Sequence, residues 1–457
     1  MGTLSRRGFV SALSAGAAGL TIAPLTQLHA QAAPQGGPQF GPGFGPLAPK
    51  LPLNSSELPE AFRGRELLSL PPDFEYTAVS ITGQTMSDGN PVPGALDGMA
   101  AFQGSRATTI VIRNHELTTS NSPVIVPGGN KYDNARAGGT TTLTFDRNGK
   151  LTKHVGSLAG TERNCAGGPT PWDSWLTCEE TFSLADQRHG YVFEVPMWGE
   201  ADHVPLTGMG RFSHEAAAID RATWFVYLTE DRGDSLFYRY RPHTCGDIRG
   251  GGVLEALRLK DFPNGVNTRS GFRDFKFQPF AAEWVTIDDP DPDTESGGNS
   301  TRSQGQAKGA AVFSRGEGAW YGNGKIYFVS TDGGNDRGGQ VWAYDPAAET
   351  LTLFVEAVRD TTNPAFADNG GFLLAAPDNI TVGPDGRLYL CEDGGGVEKV
   401  VGVSHSGELF EMARNIFNDS EFAGACFSHD GRFMFVNVQS PGLTYVIRGP
   451  WRKGGRL

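Results

Sequence analysis

The chain is poor in cysteine, in basic residues and in long apolar runs, and each shortage narrows what it can be. Its five cysteines form no Cys-x-x-Cys pair, and because their number is odd, at least one thiol is expected to stay out of any internal disulfide. The 39 Lys and Arg face 51 Asp and Glu, a net charge of -12. This argues against a nucleic-acid partner, because that binding depends on basic contacts to phosphates. An anionic substrate would need local cations, either arginines or bound metal.

Glycine and proline are abundant instead. The chain has 62 glycines and 29 prolines with 38% hydrophobic residues, a composition typical of many short strands joined by tight turns. After the N-terminal segment, no stretch is long and apolar enough to span a bilayer. We therefore expect an all-β protein with no stable membrane insertion once an N-terminal signal is removed.

Residues 1–31 are predicted to be a twin-arginine export signal. Arg6 and Arg7 precede a weakly hydrophobic stretch that reaches Leu25, and Leu28-His29-Ala30 has the small-residue pattern of a cleavage site. The alternative is an N-terminal membrane anchor. The signal predicts a periplasmic or secreted protein that uses the twin-arginine export machinery. Because this route carries folded proteins, often with a cofactor already bound, it favours a metal or redox centre.

A recurrent unit of short strands follows a Gly/Pro-rich linker at 32–60. The clearest copy spans 316–344, with an acidic opening, an Asn-Gly hairpin turn, an apolar strand and an acidic end. One such sheet cannot bury both faces alone, so the repeat predicts a β-propeller over 61–457. The copies begin near Asp97, Asn164, His214, Gly316, Asp378 and Phe422.

This repeat predicts a six-bladed β-propeller with a metal site in its central channel. We expect the protein to be a monomer. Seven blades are the alternative if residues 73–82 form an extra strand; the preferred interpretation is that this strand completes the last blade and closes the ring. Residues at about 246–309 break the even spacing and are predicted to be an insertion. Their acidic run could form a lid or a calcium-binding loop, and we assign it no catalytic role.

Candidate ligands recur at matching places in these units. Antiparallel strands joined by a short turn bring the residue that opens a unit and the residue that closes it to one edge of a sheet. Such pairs are fifteen positions apart in three units: Cys165 with Glu180, Glu215 with Glu230, and Glu317 with Asp332. Asn379, Glu392, Asp393 and Glu116 stand at similar places. We predict that these side chains converge at one mouth of the channel, the alternative being solvated acids at blade edges.

Several carboxylates in one cavity repel one another, so a cation is expected among them. Oxygen ligands suit Ca2+ or Mn2+, whereas the Cys165 thiolate favours a transition metal such as iron, so a mixed cluster is predicted. Arg315 lies two residues before Glu317, on the same face of a strand. A guanidinium there could clamp a phosphoryl oxygen, or alternatively form a structural salt bridge.

The motifs that carry these residues resemble those of PhoX-type alkaline phosphatases, a family of secreted propeller enzymes that use the twin-arginine route. The resemblance spans about 97–396. It rests on Asn164-Cys165-Ala166-Gly167-Gly168 with Thr170-Pro171-Trp172 and Cys178-Glu179-Glu180, on His214-Glu215-Ala216, on Arg315-Gly316-Glu317-Gly318 and on Cys391-Glu392-Asp393.

The resemblance implies a metal-dependent hydrolase of phosphate monoesters that holds ferric iron (Fe3+) and calcium (Ca2+). It implies that Cys165 is the thiolate ligand of iron, that Glu215 and Glu317 are carboxylate ligands, and that Arg315 holds the substrate phosphate. Glu230, Asp231 and the later acids would belong to the calcium sites.

Two other classes remain open from the sequence. A calcium-dependent propeller hydrolase of the lactonase or phosphotriesterase kind would leave Cys165 without a purpose. A non-enzymatic binding propeller would hold no tightly bound metal.

Overall fold

The computed structural model describes residues 42–119 and 124–451, which form mostly short antiparallel strands. The signal predicted at 1–31 and the linker residues 32–41 lie outside the described residues. The one α-helix of the described part is α1 (Thr301–Ala307), and none of its helices is long and apolar enough to cross a membrane. The 3-10 helices are Ser55–Glu57, Ser105–Ala107, Thr207–Met209, Arg273–Phe275 and Pro364–Asn369.

The strands follow one another closely along the chain. The first half contains β1 (Ala48–Lys50), β2 (Leu68–Leu70), β3 (Glu75–Val79), β4 (Leu96–Gln103), β5 (Thr109–His115), β6 (Gly138–Phe145), β7 (Leu151–Thr161), β8 (Asn164–Pro169), β9 (Ser174–Glu179), β10 (Val192–Pro196), β11 (His214–Ile219), β12 (Val226–Glu230), β13 (Ser235–Leu236) and β14 (Tyr238–Pro242). The second half contains β15 (Gly252–Leu259), β16 (Pro279–Thr286), β17 (Val312–Phe313), β18 (Gly316–Gly322), β19 (Lys325–Ser330), β20 (Gln340–Asp345), β21 (Thr350–Glu356), β22 (Pro377–Val382), β23 (Leu388–Glu392), β24 (Lys399–Val403), β25 (Leu409–Asn415), β26 (Phe422–Phe427), β27 (Phe433–Val438) and β28 (Leu443–Arg448).

Successive strands pair into antiparallel meanders, and the arrangement is propeller-like. The meanders are β4-β5-β6-β7, β8-β9-β10, β11-β12-β14-β15, β18-β19-β20-β21, β22-β23-β24-β25 and β26-β27-β28 with β3. Their first strands contact one another in a closed cycle, in the order β4, β8, β11, β18, β22, β26 and back to β4. The cycle brings the openings of sheets that are far apart in the chain to one centre.

The strand predicted to close the ring does so. β3 pairs antiparallel with β28, with Tyr76 opposite Ile447, and the rings of Tyr76 and Tyr445 meet edge to face at 5.3 Å. An early segment of the chain therefore completes its last sheet, which ties the two ends of the described fold together. Residues 75–79 are thus an outer strand of the last meander.

The apolar core lies between neighbouring meanders. Leu176 and Val192 of one meander pack against Leu228 and Tyr238 of the next, and similar clusters fill the other spaces. Strands buried on both faces explain why the repeat reads as nearly continuous apolar runs. At the predicted Asn-Gly turn, Asn323 and Gly324 both have positive φ, 53° and 73°, as a type I′ hairpin requires.

Two segments that the sequence set apart from the repeat, the linker and the insertion, contain regular strands. Within the predicted linker, β1 pairs with β2 at the edge of the β22-to-β25 sheet, so residues 48–50 belong to the folded body. Within the predicted insertion 246–309, β15 is the fourth strand of its meander, and β16 joins β15 to β21. Part of this segment is therefore regular sheet rather than loop.

Candidate metal centre

The first strand of every meander carries a β-bulge at the same place. Pairing with the second strand is interrupted immediately after the strand opens, for example between Leu96 and Met99 and between His214 and Ala217. A bulge adds an unpaired residue and re-aims a side chain. The residues that begin the bulges are Asp97, Cys165, Glu215, Glu317, Asp378 and Gly424.

The side chains at five of these bulges, all except Gly424, converge with the acids that follow two of the second strands. Their potential ligand atoms form three overlapping groups, and within each group the atoms lie within 4.8 Å of one another. Cys165 and Glu215 each belong to two groups, so the groups run together as one cluster. The groups are Asp97 with Glu116 and Cys165, Cys165 with Glu180 and Glu215, and Glu215 with Glu317 and Asp378.

Glu215 stands at the centre of this cluster and is fully buried. Neither of its carboxylate oxygens has a hydrogen-bond partner among the described residues. Burying an ionised carboxylate without a partner is costly, and proteins rarely tolerate it unless a cation is close by. The surroundings of Glu215 therefore fit a bound metal ion.

The electrostatics of the cluster point the same way. Burial, reinforced by neighbouring carboxylates, raises the pKa of Glu215 well above its ordinary value. The same causes raise the pKa of Asp97, Glu317 and Asp378, and of the Cys165 thiol. A bound cation opposes this rise in pKa because it stabilises the charged forms.

Four acids directly follow the second strands and lie around the same mouth. Glu116 and Glu180 complete two of the ligand groups. Asp231 contributes to the raised pKa of Glu317, and Asp393 does the same for Asp378. These residues come immediately after the last ladder pair, where the chain turns across the sheet edge.

Two arginines lie among these acids. Arg315 binds Asp231 through Nε and Nη2, at 2.9 and 3.0 Å, and Nη2 lies 2.9 Å from Glu317 Oε1. Arg163 Nη2 lies 2.6 Å from Glu116 Oε1 and also contacts Glu180. The side chains of Arg163 and Arg315 are 39% and 42% exposed, so both reach the open side of the cluster.

The sequence model of the alkaline phosphatase PhoX family matches residues 43–156 and 150–442. The chain belongs to this family. It is therefore a phosphatase, and the metal dependence of the family accords with the acidic groups described above. A comparison with curated proteins finds no match.

Solved structures support the fold. The chain is similar to Pseudomonas fluorescens PhoX in complex with vanadate, a transition-state analogue, at 18% identity and a TM-score of 0.64, covering 86% of this chain and 97% of that one. A gluconolactonase from Xanthomonas campestris matches at 12% identity and a TM-score of 0.42, covering 82% and 90%. A streptogramin B lyase matches at 11% identity and 0.40, covering 82% and 98%. Of these three likenesses, that to PhoX alone exceeds a TM-score of 0.5, and it shows a propeller fold.

Within this PhoX family member, most predicted ligands come together. Cys165, Glu180, Glu215 and Glu317 belong to the cluster, and Asp231 and Asp393 lie beside it. Arg315 lies against Asp231 and Glu317, on the face predicted from its spacing. One soft sulfur ligand among hard carboxylates fits a mixed set of cations.

Glu230 and Glu392 do not face the cluster, contrary to prediction. Each is the last ladder residue of its second strand, and side chains alternate along a strand, so each points away from the acid that follows it. Glu230 accepts a hydrogen bond from Tyr238 at 2.9 Å and forms an ion pair with Arg302. Glu392 accepts from the Ala375 amide at 2.6 Å.

Asp332 and Asn379, which were also predicted to be ligands, do not belong to the ligand groups either. Asp332 forms ion pairs with Arg269 and with Arg337, and Thr331 takes the place directly after the second strand. Asn379 lies one residue beyond the bulge position, where it donates to Asp378 at 3.1 Å and accepts from the Gly424 amide. The candidate ligand at this bulge is Asp378.

Sequence reasoning left Asp97 and Asp378 out of the ligand set, whereas it had placed Glu116 among the candidates. For Asp97 the signal is a ligand residue followed by a small one, as in Asp97-Gly98 and Glu317-Gly318, whereas Asp378 is followed by Asn379 and shares only the bulge. The small residue is required, because a Cβ on Gly318 would lie 2.6 Å from the Asp378 carbonyl oxygen. A cavity of about 20 Å³ adjoins the bulges, with Gly98, Ala216 and Trp320 in its lining.

Proposed function

We propose that the protein hydrolyses phosphate monoesters in a metal-dependent reaction and releases inorganic phosphate outside the cytoplasm. The observation that carries this proposal is Glu215, whose buried carboxylate lacks any hydrogen-bond partner among the described residues. The cation that it calls for would lie between Cys165, Glu180, Glu317 and Asp378. A cation bound at this mouth would supply the positive charge that a phosphoryl group needs and that the acidic chain otherwise lacks.

The donor set supports ferric iron (Fe3+) and calcium (Ca2+) as the cations. We assign Cys165, Glu215 and Glu317 to iron, because a thiolate favours a transition metal. Asp97, Glu116, Glu180 and Asp378, with Asp231 and Asp393 beside them, offer the oxygen-rich surroundings that calcium prefers. When bound, such cations polarise a phosphoryl group and offset the charge that develops on it.

Arg315 would hold the substrate phosphate. Its guanidinium lies between Asp231 and Glu317 and is partly exposed at the mouth. The two acids fix the orientation of the planar group, and its remaining donors can face a bound oxyanion. Paired hydrogen bonds from arginine suit phosphate geometry.

We further propose that the protein is a monomeric six-bladed propeller that is exported by the twin-arginine machinery to the periplasm or beyond. The cyclic contacts among the six first strands support the blade count. The twin arginine at Arg6 and Arg7 supports the export route. All five cysteines are free thiols, and the role of Cys165 as a ligand would explain one of them.

The test is elemental analysis of protein purified without chelators, with hydrolysis of p-nitrophenyl phosphate measured before and after calcium chelation. Cys165→Ala is expected to lose iron and activity while remaining folded. Cys426→Ala is the matched control, because Cys426 is also a buried free thiol but lies outside the ligand groups. It should keep both iron and activity.

The outcomes separate the classes. Iron and calcium together, with turnover that chelation abolishes, support the phosphatase with the proposed metals. Calcium alone would overturn the iron assignment, and a fully active, metal-replete Cys165→Ala would overturn the cluster.

A further inference from the structure

Arg163 occupies the position in its meander that Arg315 occupies two meanders later. Each immediately precedes the first strand, and each has a left-handed backbone, with φ of 50° and 51°. Each carbonyl accepts a hydrogen bond from the residue that follows its own second strand, Glu180 for Arg163 and Thr331 for Arg315. The two backbones are thus held in the same way.

The backbone amides of the two arginines also donate to corresponding partners. The Arg163 amide donates to Leu117, next to Glu116, and the Arg315 amide donates to Arg232, next to Asp231. Each arginine therefore stands between the closing acid of the preceding meander and an acid of its own. The meander between them supplies Glu215, so the two arginines belong to the meanders on either side of the one that carries the central carboxylate.

On two neighbouring meanders the residue at the equivalent position is alanine, whose side chain is too short to extend over the cluster. Ala95 and Ala376 also precede their first strands with left-handed φ, 45° and 44°, and their carbonyls accept from Glu116 and Asp393. A methyl group cannot contact a ligand over the cluster. A left-handed backbone conformation is unfavourable for any residue with a side chain. Because such strained residues are concentrated at functional sites, the arginine at this position suggests a functional role.

The donors of Arg163 are incompletely used. Both acid contacts are made through Nη2, whereas Nε has no hydrogen-bond partner among the described residues. Arg315, by contrast, uses Nε and Nη2 on Asp231. Nε is covered by protein, but the Arg163 side chain as a whole is 39% exposed. The exposed part of its guanidinium is suited to an anionic oxygen.

We propose that Arg163 is a second phosphate-binding residue, which grips the substrate phosphoryl group from the side of the cluster opposite Arg315. This inference rests on the proposed phosphatase function and adds a substrate preference to it. Two guanidinium groups match the two negative charges of a phosphate monoester. A diester carries only one such charge and would gain little from the second arginine.

The experiment compares metal-loaded wild type with Arg163→Gln and with Arg337→Gln. Arg337 is a matched control because it too has a left-handed backbone and pairs with an acid, Asp332, outside the cluster. We would measure metal content, the Kd of inorganic phosphate by calorimetry, and kcat/KM for p-nitrophenyl phosphate and bis-p-nitrophenyl phosphate. Arg163→Gln should keep its metals, bind phosphate about 10- to 100-fold more weakly, and lose a similar factor on the monoester only.

Phosphate affinity within about twofold of wild type would overturn the proposal. So would loss of metal from Arg163→Gln, because the arginine would then serve only to hold Glu116 and Glu180. If Arg163→Gln does not fold, Arg163→Lys keeps the charge but not the planar fork, and an unchanged phosphate Kd in that variant overturns the proposal. If wild type itself neither binds phosphate nor hydrolyses either ester, the proposed function fails with it.

Discussion

At the ends of three second strands, the last ladder residue and the residue after it are both acids, and the surroundings of the two acids differ. The last ladder residue of a second strand has protein partners: Glu179 contacts His189 Nδ1 at 2.7 Å and accepts from the Gly190 amide. The residue that follows it faces the candidate metal centre instead. The pairs are Glu179 and Glu180, Glu230 and Asp231, and Glu392 and Asp393.

The comparison teaches that burial alone does not identify a ligand. Glu215 and Glu230 are both fully buried, yet Glu230 is compensated by Arg302 and Tyr238, whereas Glu215 has no such partner among the described residues. The first arrangement holds the structure together, and the second needs a cation. Three substitutions test this distinction.

Glu215→Gln is expected to have the largest effect. Removing the central carboxylate should lower metal occupancy and reduce kcat/KM more than about 100-fold, since ligands contribute more than the groups that merely orient them. Elemental analysis and steady-state kinetics measure this. The chelated variant should melt no lower than chelated wild type, because it carries one fewer uncompensated buried acid. A variant that keeps its full metal content would contradict the site.

Glu230→Gln should affect stability rather than chemistry. The change leaves Arg302 without its buried partner, so the free energy of unfolding should fall by about 3 kcal/mol, measured by urea denaturation. Metal content and kcat should stay within about twofold of wild type. As a control, Glu230→Gln combined with Arg302→Gln should recover part of the loss. If Glu230→Gln instead releases metal from a folded protein, our separation of the two sets is wrong.

Asp332→Asn should have the smallest effect. Its ion pairs with Arg269 and Arg337 are partly exposed, and such pairs contribute at most about 1 kcal/mol. Unfolding stability, metal content and phosphatase activity should therefore all stay close to wild type. Loss of metal from this variant would restore the ligand role that the fifteen-residue spacing predicted for Asp332.

The repeat and several ligands were predictable from sequence because their signals are local. Turn dipeptides, apolar runs and small residues beside a ligand type located the strand openings at Cys165, Glu215 and Glu317. The closing residues were harder to place, because the hairpins differ in length. The residue that follows the second strand comes 15 positions after Cys165, 16 after Glu215, 14 after Glu317 and 19 after Asp97. A single spacing therefore selected Glu230 and Asp332 in error.

The sequence by itself determined the strand-and-turn repeat, the closing strand at 75–79, the ligand chemistry of Cys165 and the acids, and the place of Arg315 next to them. These properties depend on residue types and short spacings. Only the tertiary structure decided which of two adjacent acids faces the centre, because the length of each hairpin sets the residue at which its second strand ends. It also decided which meanders supply the cluster, because ligand atoms from Asp97 to Asp378 meet only when the sheets close on one another in a cycle.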